Sequence, residues 1–162
     1  MPGADTFTPE TEHSADGSQF LTFELWEEEF GIEILRVQEI KGISRITPIP
    51  NMPSYIQGVM NLRGTVVPIV DLRAKFGMPE IEYNQFTVII VVTIGDKVMG
   101  LVVDAVSDVL NVSDENIEGA PELGSDADTS FMRGIAKSGD RLITLLNMDR
   151  LVDIDQTLQA AS

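Results

Sequence analysis

The sequence predicts an all-β protein made of two small barrels that share a hydrophobic interface. Apolar residues alternate with polar ones at a period of two, turn residues separate the alternating segments, and a weak internal repeat relates the two halves of the chain. The 162 residues correspond to one domain or two small fused ones, and 43% hydrophobic residues suffice for a sizeable core. Because a barrel of this size is marginally stable alone, we expect the two barrels to unfold together.

Both ends of the chain are predicted to lie outside the folded part. Residues 1–18 contain four acidic residues, no Lys or Arg, and Phe7 as their one aromatic residue. Such a segment is predicted to be disordered because it cannot offset the entropy lost on ordering. His13, the one histidine of the chain, is therefore interpreted as a solvated residue of this acidic tail. Residues 156–162 form a second short tail.

The alternation starts at Gln19 and predicts a first hairpin with its turn near Glu27. Its apolar positions are Leu21, Phe23, Leu25, Phe30, Ile32 and Ile34. A loop is expected over 47–53, where three prolines in seven residues exclude both a helix interior and a central strand. Residues 65–71 form the next predicted strand, in which Pro68 limits pairing on one side.

A helical turn over 72–76 follows this strand, with Asp71 placed to cap it and Gly77 to end it. A second hairpin is predicted over 85–104, and the dipeptide Gly95-Asp96 suits a type II′ turn between its strands. A third hairpin is expected over 131–147. A short helical pattern then covers 148–155.

The internal repeat divides the chain into two copies of one strand pattern. The alignment offset grows from 69 to 76, which places a longer loop between Leu110 and Phe131. We therefore expect a first barrel over about 19–83 and a second over about 84–147. The aligned segments are 30–40 with 99–109, 66–72 with 142–148, and Gly58 with Gly134.

Charge is distributed unevenly along the chain. The net charge of −15 disfavours nucleic acid or an anionic membrane as the main partner. Residues 36–75 nevertheless hold six basic and two acidic residues, whereas 104–128 hold eight acidic residues and no basic one. Two regions of opposite sign allow docking to two surfaces, or of copies head to tail. They are equally compatible with solvated loop charges, and charge alone leaves both interpretations open.

The sequence contains no recognisable catalytic motif. It has no cysteine, no phosphate-binding glycine loop, no zinc-protease motif and no nucleophile elbow. Most carboxylates fall in predicted loops or turns, so we assign no catalytic residue, no metal and no cofactor. The longest apolar run, over 88–92, is shorter than a membrane span or a signal peptide requires, which favours a soluble intracellular protein.

The segment 57–64 carries the most information about a binding site. Gly58 and Gly64 mark positions where a side chain is excluded or φ is positive, and Asn61 can support a turn through its side chain. Arg63 is therefore held at a rigid tip. From the residues alone, it is equally well interpreted as a binding residue or as a solvated hairpin end.

Three motifs in this order resemble the bacterial chemotaxis coupling family, the CheW-like domains, over about residues 19–155. They are 30–40, then Asn61 to Gly64 followed by 67–73, and finally 100–110. The resemblance implies two intertwined five-stranded SH3-like barrels and no catalysis. It also implies a cytoplasmic adaptor, recruited to receptor arrays at the inner face of the membrane. Such an adaptor couples methyl-accepting chemoreceptors to the histidine kinase CheA and so controls kinase autophosphorylation.

The same resemblance assigns binding residues in both halves. A groove between the barrels would receive a helical hairpin of the receptor, with aliphatic side chains filling it and two charges setting the register. Its residues are Val37, Glu39, Gly58, Asn61, Arg63, Val88 and Val106. Kinase contacts would lie at the barrel ends, at Thr65, Pro121, Glu122 and Leu123. The free protein is expected to be a monomer that gains further contacts within arrays.

Two alternatives stay open at this stage. One is an adaptor of a chemosensory-like pathway whose output is not motility. The other is a small hydrolase for a cationic substrate, with carboxylates of 104–128 as acid and base. The hydrolase would require a carboxylate with a strongly raised pKa in a concave site.

Overall fold

The computed structural model describes residues 17–119 and 131–151, which form two β-sheets and a few short helical turns. The first strands are β1 (Gly17–Leu25), β2 (Glu28–Glu33), β3 (Val37–Gly42), β4 (Ile56–Leu62) and β5 (Thr65–Asp71). The later strands are β6 (Val88–Ile94), β7 (Lys97–Val103), β8 (Ala105–Ser113), β9 (Ile117–Gly119), β10 (Met132–Ser138) and β11 (Arg141–Leu146). The helices are α1 (Leu72–Lys75) and α2 (Met148–Leu151), and 3₁₀ turns occupy Ile34–Arg36 and Asp114–Asn116.

The two sheets are intertwined. One has the order β8-β1-β2-β11-β10-β9 and the other β3-β6-β7-β5-β4. Each draws strands from both sides of residue 83, because β2 pairs in parallel with β11 and β5 pairs in parallel with β7. Neighbouring parallel strands cannot be joined by a tight turn and need a crossover connection. In this molecule the crossover carries the chain from one sheet to the other. The predicted all-β class with two interwoven units is confirmed, although the sheets do not follow the segments 19–83 and 84–147.

The internal repeat determines equivalent strand pairs in the two sheets. Leu145 of β11 lies opposite Gly31 of β2, and Ile69 of β5 lies opposite Gly100 of β7. The two pairs are equivalent in the repeat, because the offset of 69 relates Gly31 to Gly100 and the offset of 76 relates Ile69 to Leu145. The first sheet has six strands rather than the predicted five because the short β9 pairs with β10. Its counterpart in the other sheet is the single bridge between Thr47 and Val59.

Three clusters of buried side chains stabilise the molecule. The largest joins both sheets and includes Phe23 and Ile32 from one and Ile90 and Leu101 from the other. Two smaller clusters fill the individual units, around Ile69 in the five-stranded sheet and around Ile143 in the six-stranded one. The predicted hydrophobic interface between the two units is thus the main core. Because burial of apolar area is the dominant stabilising term, we expect both units to lose structure together.

The predicted ends of most elements agree with the structure. The Asp71 carboxylate accepts the backbone N–H of Arg73 at 3.0 Å, and α1 ends just before Gly77, whose φ is 73°. At the turn of the second hairpin, Gly95 has a φ of 62°. No helix in the described ranges 17–119 and 131–151 is long and apolar enough to cross a membrane.

Two strand starts differ from the prediction. Strand β1 begins at Gly17 because its backbone pairs with Ser113 and Val112 of β8, a pairing that needs no apolar side chain. Strand β6 begins at Val88 rather than at Gln85. The residues before it form a side-chain-supported turn, in which Asn84 Oδ1 accepts the N–H of Phe86 at 2.7 Å.

The parallel strand pairs predict the effect of adding one methyl group. A Cβ on Gly100 would come within 2.7 Å of both Ile69 Cδ1 and Ile89 Cγ2 in the barrel core. We expect Gly100→Ala to lower the free energy of unfolding by about 1–3 kcal/mol through overpacking. Gly31→Ala should lower the free energy of unfolding by less, because the atom nearest to its added Cβ, Leu145 Cδ2, lies 3.1 Å away. Urea denaturation checks both, with Gly42→Ala as control since its Cβ meets nothing within 4 Å. An unchanged free energy of unfolding in Gly100→Ala would contradict this packing.

Candidate functional site

The β4–β5 turn presents Arg63 on a braced backbone. Arg63 and Gly64 have φ of 51° and 89°, the positive values that a two-residue type I′ turn requires. Asn61 Oδ1 accepts the Gly64 N–H at 2.8 Å, so Asn61 supports the turn as predicted. The guanidinium is therefore held at the tip of a hairpin whose geometry is fixed by its own side chains.

Arg63 forms an ion pair with Glu39 across the two edge strands of the five-stranded sheet. Arg63 Nη2 donates to Glu39 Oε2 at 2.6 Å, and these side chains are 69% and 30% exposed. The hydrogen bond from Arg63 lowers the pKa of Glu39 and raises that of Arg63. Since an exposed pair contributes little to stability, the guanidinium can exchange its carboxylate partner for one on a ligand.

Gly58 has a structural role beside this pair. Its φ is +146°, and a Cβ there would collide with the carbonyl oxygen of Thr47. The collision site is where the loop after β3 pairs with β4, through Thr47 N to Val59 O at 2.8 Å and Val59 N to Thr47 O at 2.9 Å. The absence of a side chain at Gly58 thus lets this loop close against β4.

The three predicted valines line the core between the two sheets. Val37, Val88 and Val106 are half-buried and pack against the inter-sheet cluster. Val37 lies opposite Val92 and Val106 lies opposite Phe23, both of which are fully buried core residues. Directly opposite residues share a face of the sheet, so the valines continue the inter-sheet core toward solvent.

Two further residues extend this apolar surface. Ile40 lies opposite Ile90 and Val109 lies opposite Leu21, so both share the face of the inter-sheet core, yet they are 43% and 48% exposed. The resemblance did not assign them. The internal repeat contained the signal, because Ile40 and Val109 occupy equivalent positions at the end of the aligned segments. We name the set Val37, Ile40, Val88, Val106 and Val109 the aliphatic strip.

The ion pair and the aliphatic strip meet along β3 but lie on different faces of it. A register shift between Val37 and Glu39 places Glu39 opposite Val91, which belongs to the core of the five-stranded sheet itself. Glu39, Gly58, Asn61 and Arg63 are therefore grouped at the rim of that unit, and the aliphatic strip follows the junction of the two sheets. A ligand lying along β3 can contact both.

The predicted kinase residues are only partly described. Thr65 is exposed at the start of β5, and the neighbouring Val66 is 66% exposed. Pro121, Glu122 and Leu123 lie outside the described residues.

Three of the five acidic residues that the structure describes in the acidic segment form ion pairs. Asp104 binds Arg73 at 2.8 Å, Asp108 binds Arg141 at 3.2 Å, and Glu118 binds Lys137 at 2.6 Å. Hydrogen bonds from Arg141 and Thr22 lower the pKa of Asp108, the opposite of what the hydrolase alternative requires. Over 17–119 and 131–151, no group of three or more acidic or histidine side chains could hold a metal ion.

Comparison with known proteins places this geometry in a family. The family model for the CheW-like domain matches residues 19–156, which include every residue of the candidate site. The chain belongs to the CheW-like domain family. The family resemblance drawn from the three sequence motifs is thereby confirmed.

Relatives of this CheW-like chain carry chemotaxis names. The chain is 44% identical over 140 residues to the chemotaxis protein CheW of Klebsiella aerogenes, covering 86% of this chain and 84% of that protein. It is 44% identical over 133 residues to CheW of Rhizobium meliloti, covering 82% and 86%. The solved structure of the scaffolding protein TtCheW from Thermoanaerobacter tengcongensis superposes with a TM-score of 0.79 at 35% identity, covering 85% and 93% of the two chains. The chain thus belongs to a family whose members include chemotaxis and scaffolding proteins.

Proposed function

We propose that this protein is a non-catalytic adaptor that couples transmembrane methyl-accepting chemoreceptors to the histidine kinase CheA and so controls CheA autophosphorylation. It acts in the cytoplasm and is recruited to receptor arrays at the inner face of the membrane. The observation that carries the proposal is the pairing of a braced, exposed Arg63–Glu39 ion pair with an uncovered aliphatic strip along the same edge strand.

This arrangement suits the cytoplasmic tip of a receptor, which is a helical hairpin. Aliphatic side chains of a helix recur at i, i+3, i+4 and i+7, and a hydrophobic groove accommodates one such face. Ile40 and Val109 leave apolar area that a helix can cover. Arg63 and Glu39 at the rim then distinguish the correct register from a shifted one by their charges.

The kinase surface is proposed at a barrel end, at Thr65 with Pro121, Glu122 and Leu123. The exposed Val66 beside Thr65 supports an apolar contact there. Two separate surfaces allow one molecule to hold receptor and kinase together. Contacts that are individually micromolar, about −8 kcal/mol each, gain avidity when several act in one array.

Reconstitution tests the adaptor function. Receptor-containing vesicles, purified CheA and this protein are combined, and phosphoryl transfer from ATP to the kinase is followed over time. Stimulation is expected only when all three components are present. A kinase rate that is unchanged by this protein, with no binding to either partner in pull-downs, would contradict the proposal.

The aliphatic strip supplies a sharper test of the receptor contact. Ile40→Ser with Val109→Ser removes two apolar anchors and is expected to weaken binding of a receptor cytoplasmic fragment by about ten-fold or more. Ile81→Ser is the matched control, because Ile81 is 38% exposed but lies in the connection before β6. Calorimetric titration measures the affinities. Equal losses in the double variant and the control would show that the strip is not the receptor surface.

A further inference from the structure

A shallow depression lies on the six-stranded sheet, separate from the strands that carry the candidate site. Its volume is about 420 Å³, and its lining comes from the turn before β2 and from strands β2, β10 and β11. The lining residues are Glu27, Glu28, Glu29, Ile135, Leu142 and Thr144. No residue of the ion pair or of the aliphatic strip belongs to these strands.

The floor of the depression is apolar and uncovered. Leu142 is 64% exposed, whereas the next residue, Ile143, is fully buried in the core of the unit, so the two side chains point to opposite faces of β11. Ile135 of β10 lies opposite Thr144 and so shares the outer face with Leu142. Leu142 and Ile135 line the same depression, so together they form an apolar floor that a side chain of a partner can cover.

The rim carries unmatched negative charge. Glu29 is neutralised by Arg141, which donates to both of its carboxylate oxygens at 2.9 and 2.7 Å. Glu27 and Glu28 are exposed and have no ion pair with any residue that the structure describes. A partner therefore meets two free carboxylates beside an exposed leucine.

An aromatic side chain stands on the same turn. Trp26 is 50% exposed, and it precedes Glu27 in a two-residue turn whose φ values are 52° and 68°. The backbone N–H of Trp26 donates to Asp104 Oδ2 at 2.9 Å, which ties the turn to the start of β8. A tryptophan held on a fixed turn is among the most frequent hot-spot residues of interfaces.

We propose that this depression docks a segment of a partner protein in which a lysine or arginine stands beside an aliphatic residue. The aliphatic side chain covers Leu142 and Ile135, the cation lies between Glu27 and Glu28, and Trp26 packs against the segment. Charge complementarity selects this occupant, because an acidic or purely polar segment would meet repulsion at the rim or leave the floor uncovered.

The internal repeat supplies a contrast on the other unit. The position equivalent to Leu142 is Val66, which is 66% exposed, so the apolar feature is present on both units. The position equivalent to Glu28 is Lys97, which has the opposite charge. Val66 therefore provides a matched control for Leu142 on the other unit.

The test uses three synthetic peptides and the full chain. One peptide alternates lysine with leucine, the second glutamate with leucine, and the third lysine with serine. The chain has one tryptophan, Trp26, which is the chain neighbour of the lining residue Glu27, so we expect its emission to change on binding, and calorimetry gives the affinity. Saturable binding with a blue shift is expected for the lysine–leucine peptide alone.

Variants assign that binding to the depression. Leu142→Ser, and Glu27→Lys with Glu28→Lys, should each weaken binding of the lysine–leucine peptide by about ten-fold or more, whereas Val66→Ser should leave it within about two-fold. A thermal melt confirms that each variant is folded. The proposal would be overturned if the lysine–serine peptide bound as tightly as the lysine–leucine peptide, or if Val66→Ser lost as much affinity as Leu142→Ser. Either result would mean that an acidic protein attracts any basic peptide. Self-association that Leu142→Ser abolishes would overturn it in favour of a second copy as occupant.

Discussion

Arg63→Glu is expected to abolish binding of a chemoreceptor cytoplasmic fragment while the protein stays folded. The substitution places a second carboxylate against Glu39, so the rim loses its cation and gains repulsion where the ion pair stood. The backbone is not newly strained, because arginine and glutamate are equally unbranched at Cβ and tolerate the φ of 51° similarly. Since Arg63 is 69% exposed, the thermal midpoint should change by less than about 3 °C.

Affinity capture measures this effect, with receptor fragment and kinase offered together. We expect wild type to retain both partners and Arg63→Glu to retain the kinase alone. Arg45→Glu is the matched control, because Arg45 is an exposed arginine of the same unit with the same charge change. The assignment fails if Arg63→Glu unfolds the protein, or if Arg45→Glu loses the receptor to the same extent.

The exchange of both charges refines the interpretation. Glu39→Arg together with Arg63→Glu restores the intramolecular ion pair with reversed polarity. If the pair only stiffens the rim, receptor binding should return. If the receptor contacts the two charges directly, binding should stay absent, which is the result that we expect.

The strands could be predicted from the sequence, but their partners could not. The period of two and the turn residues are local properties, and so is the repeat that relates Gly31 to Gly100. The pairing of β2 with β11 is set by a parallel contact between segments more than a hundred residues apart. Nothing in a local pattern specifies which distant strand lies alongside, so the predicted boundary at residue 83 does not separate the two sheets.

The candidate site shows the same limit. The motif around Asn61 predicted the braced turn and the presentation of Arg63, because those interactions lie within the hairpin. The resemblance assigned Glu39 and Arg63 to one groove but did not predict their ion pair, since Glu39 is 24 residues away and no spacing rule connects the two. Ile40 and Val109 were missed because their exposure depends on how the two units pack.

The uneven charge distribution had two open interpretations, and the structure adds a third. The basic segment contributes Arg73 and the acidic segment contributes Asp104, and the two side chains bind each other inside one molecule. Part of the opposite charge therefore serves internal packing rather than docking or solvation. This pair is also the source of the largest expected effect on stability.

Arg73→Met is expected to lower the free energy of unfolding by about 3 kcal/mol. Arg73 Nε and Nη2 each donate to an oxygen of Asp104 at 2.8 Å, and the two side chains are only 10% and 21% exposed. Methionine keeps much of the volume but leaves the partly buried Asp104 carboxylate without a cation. The effect should propagate, because Asp104 also accepts the N–H of Trp26 at the β1–β2 turn.

The internal repeat again provides a control. Asp149 of α2 occupies the position equivalent to Arg73 and binds Arg36 at 3.3 Å, but these side chains are 66% and 29% exposed. Arg36→Met should therefore cost about 0.5 kcal/mol or less. Urea denaturation compares the two variants. Arg73→Met combined with Asp104→Asn should be more stable than Arg73→Met alone, because no uncompensated charge remains. Equal costs for Arg36→Met and Arg73→Met would contradict the role of burial.

The loss of stability in Arg73→Met should also depend on pH. Partial burial of Asp104 opposes its ionisation, but the hydrogen bonds from Arg73 and from the Trp26 N–H outweigh this and hold its pKa below the usual value. A carboxyl group with a lowered folded-state pKa contributes stability above its unfolded pKa of about 3.9, and this contribution is lost as the pH falls through the folded pKa. The difference between wild type and Arg73→Met should therefore be complete at neutral pH and shrink as the pH falls through the acid range in which Asp104 becomes protonated. Because Glu39 and Asp108 keep their arginine partners in both proteins, their titration does not contribute to that difference. A difference that stays constant through the acid range would show that Arg73 stabilises the fold by packing alone.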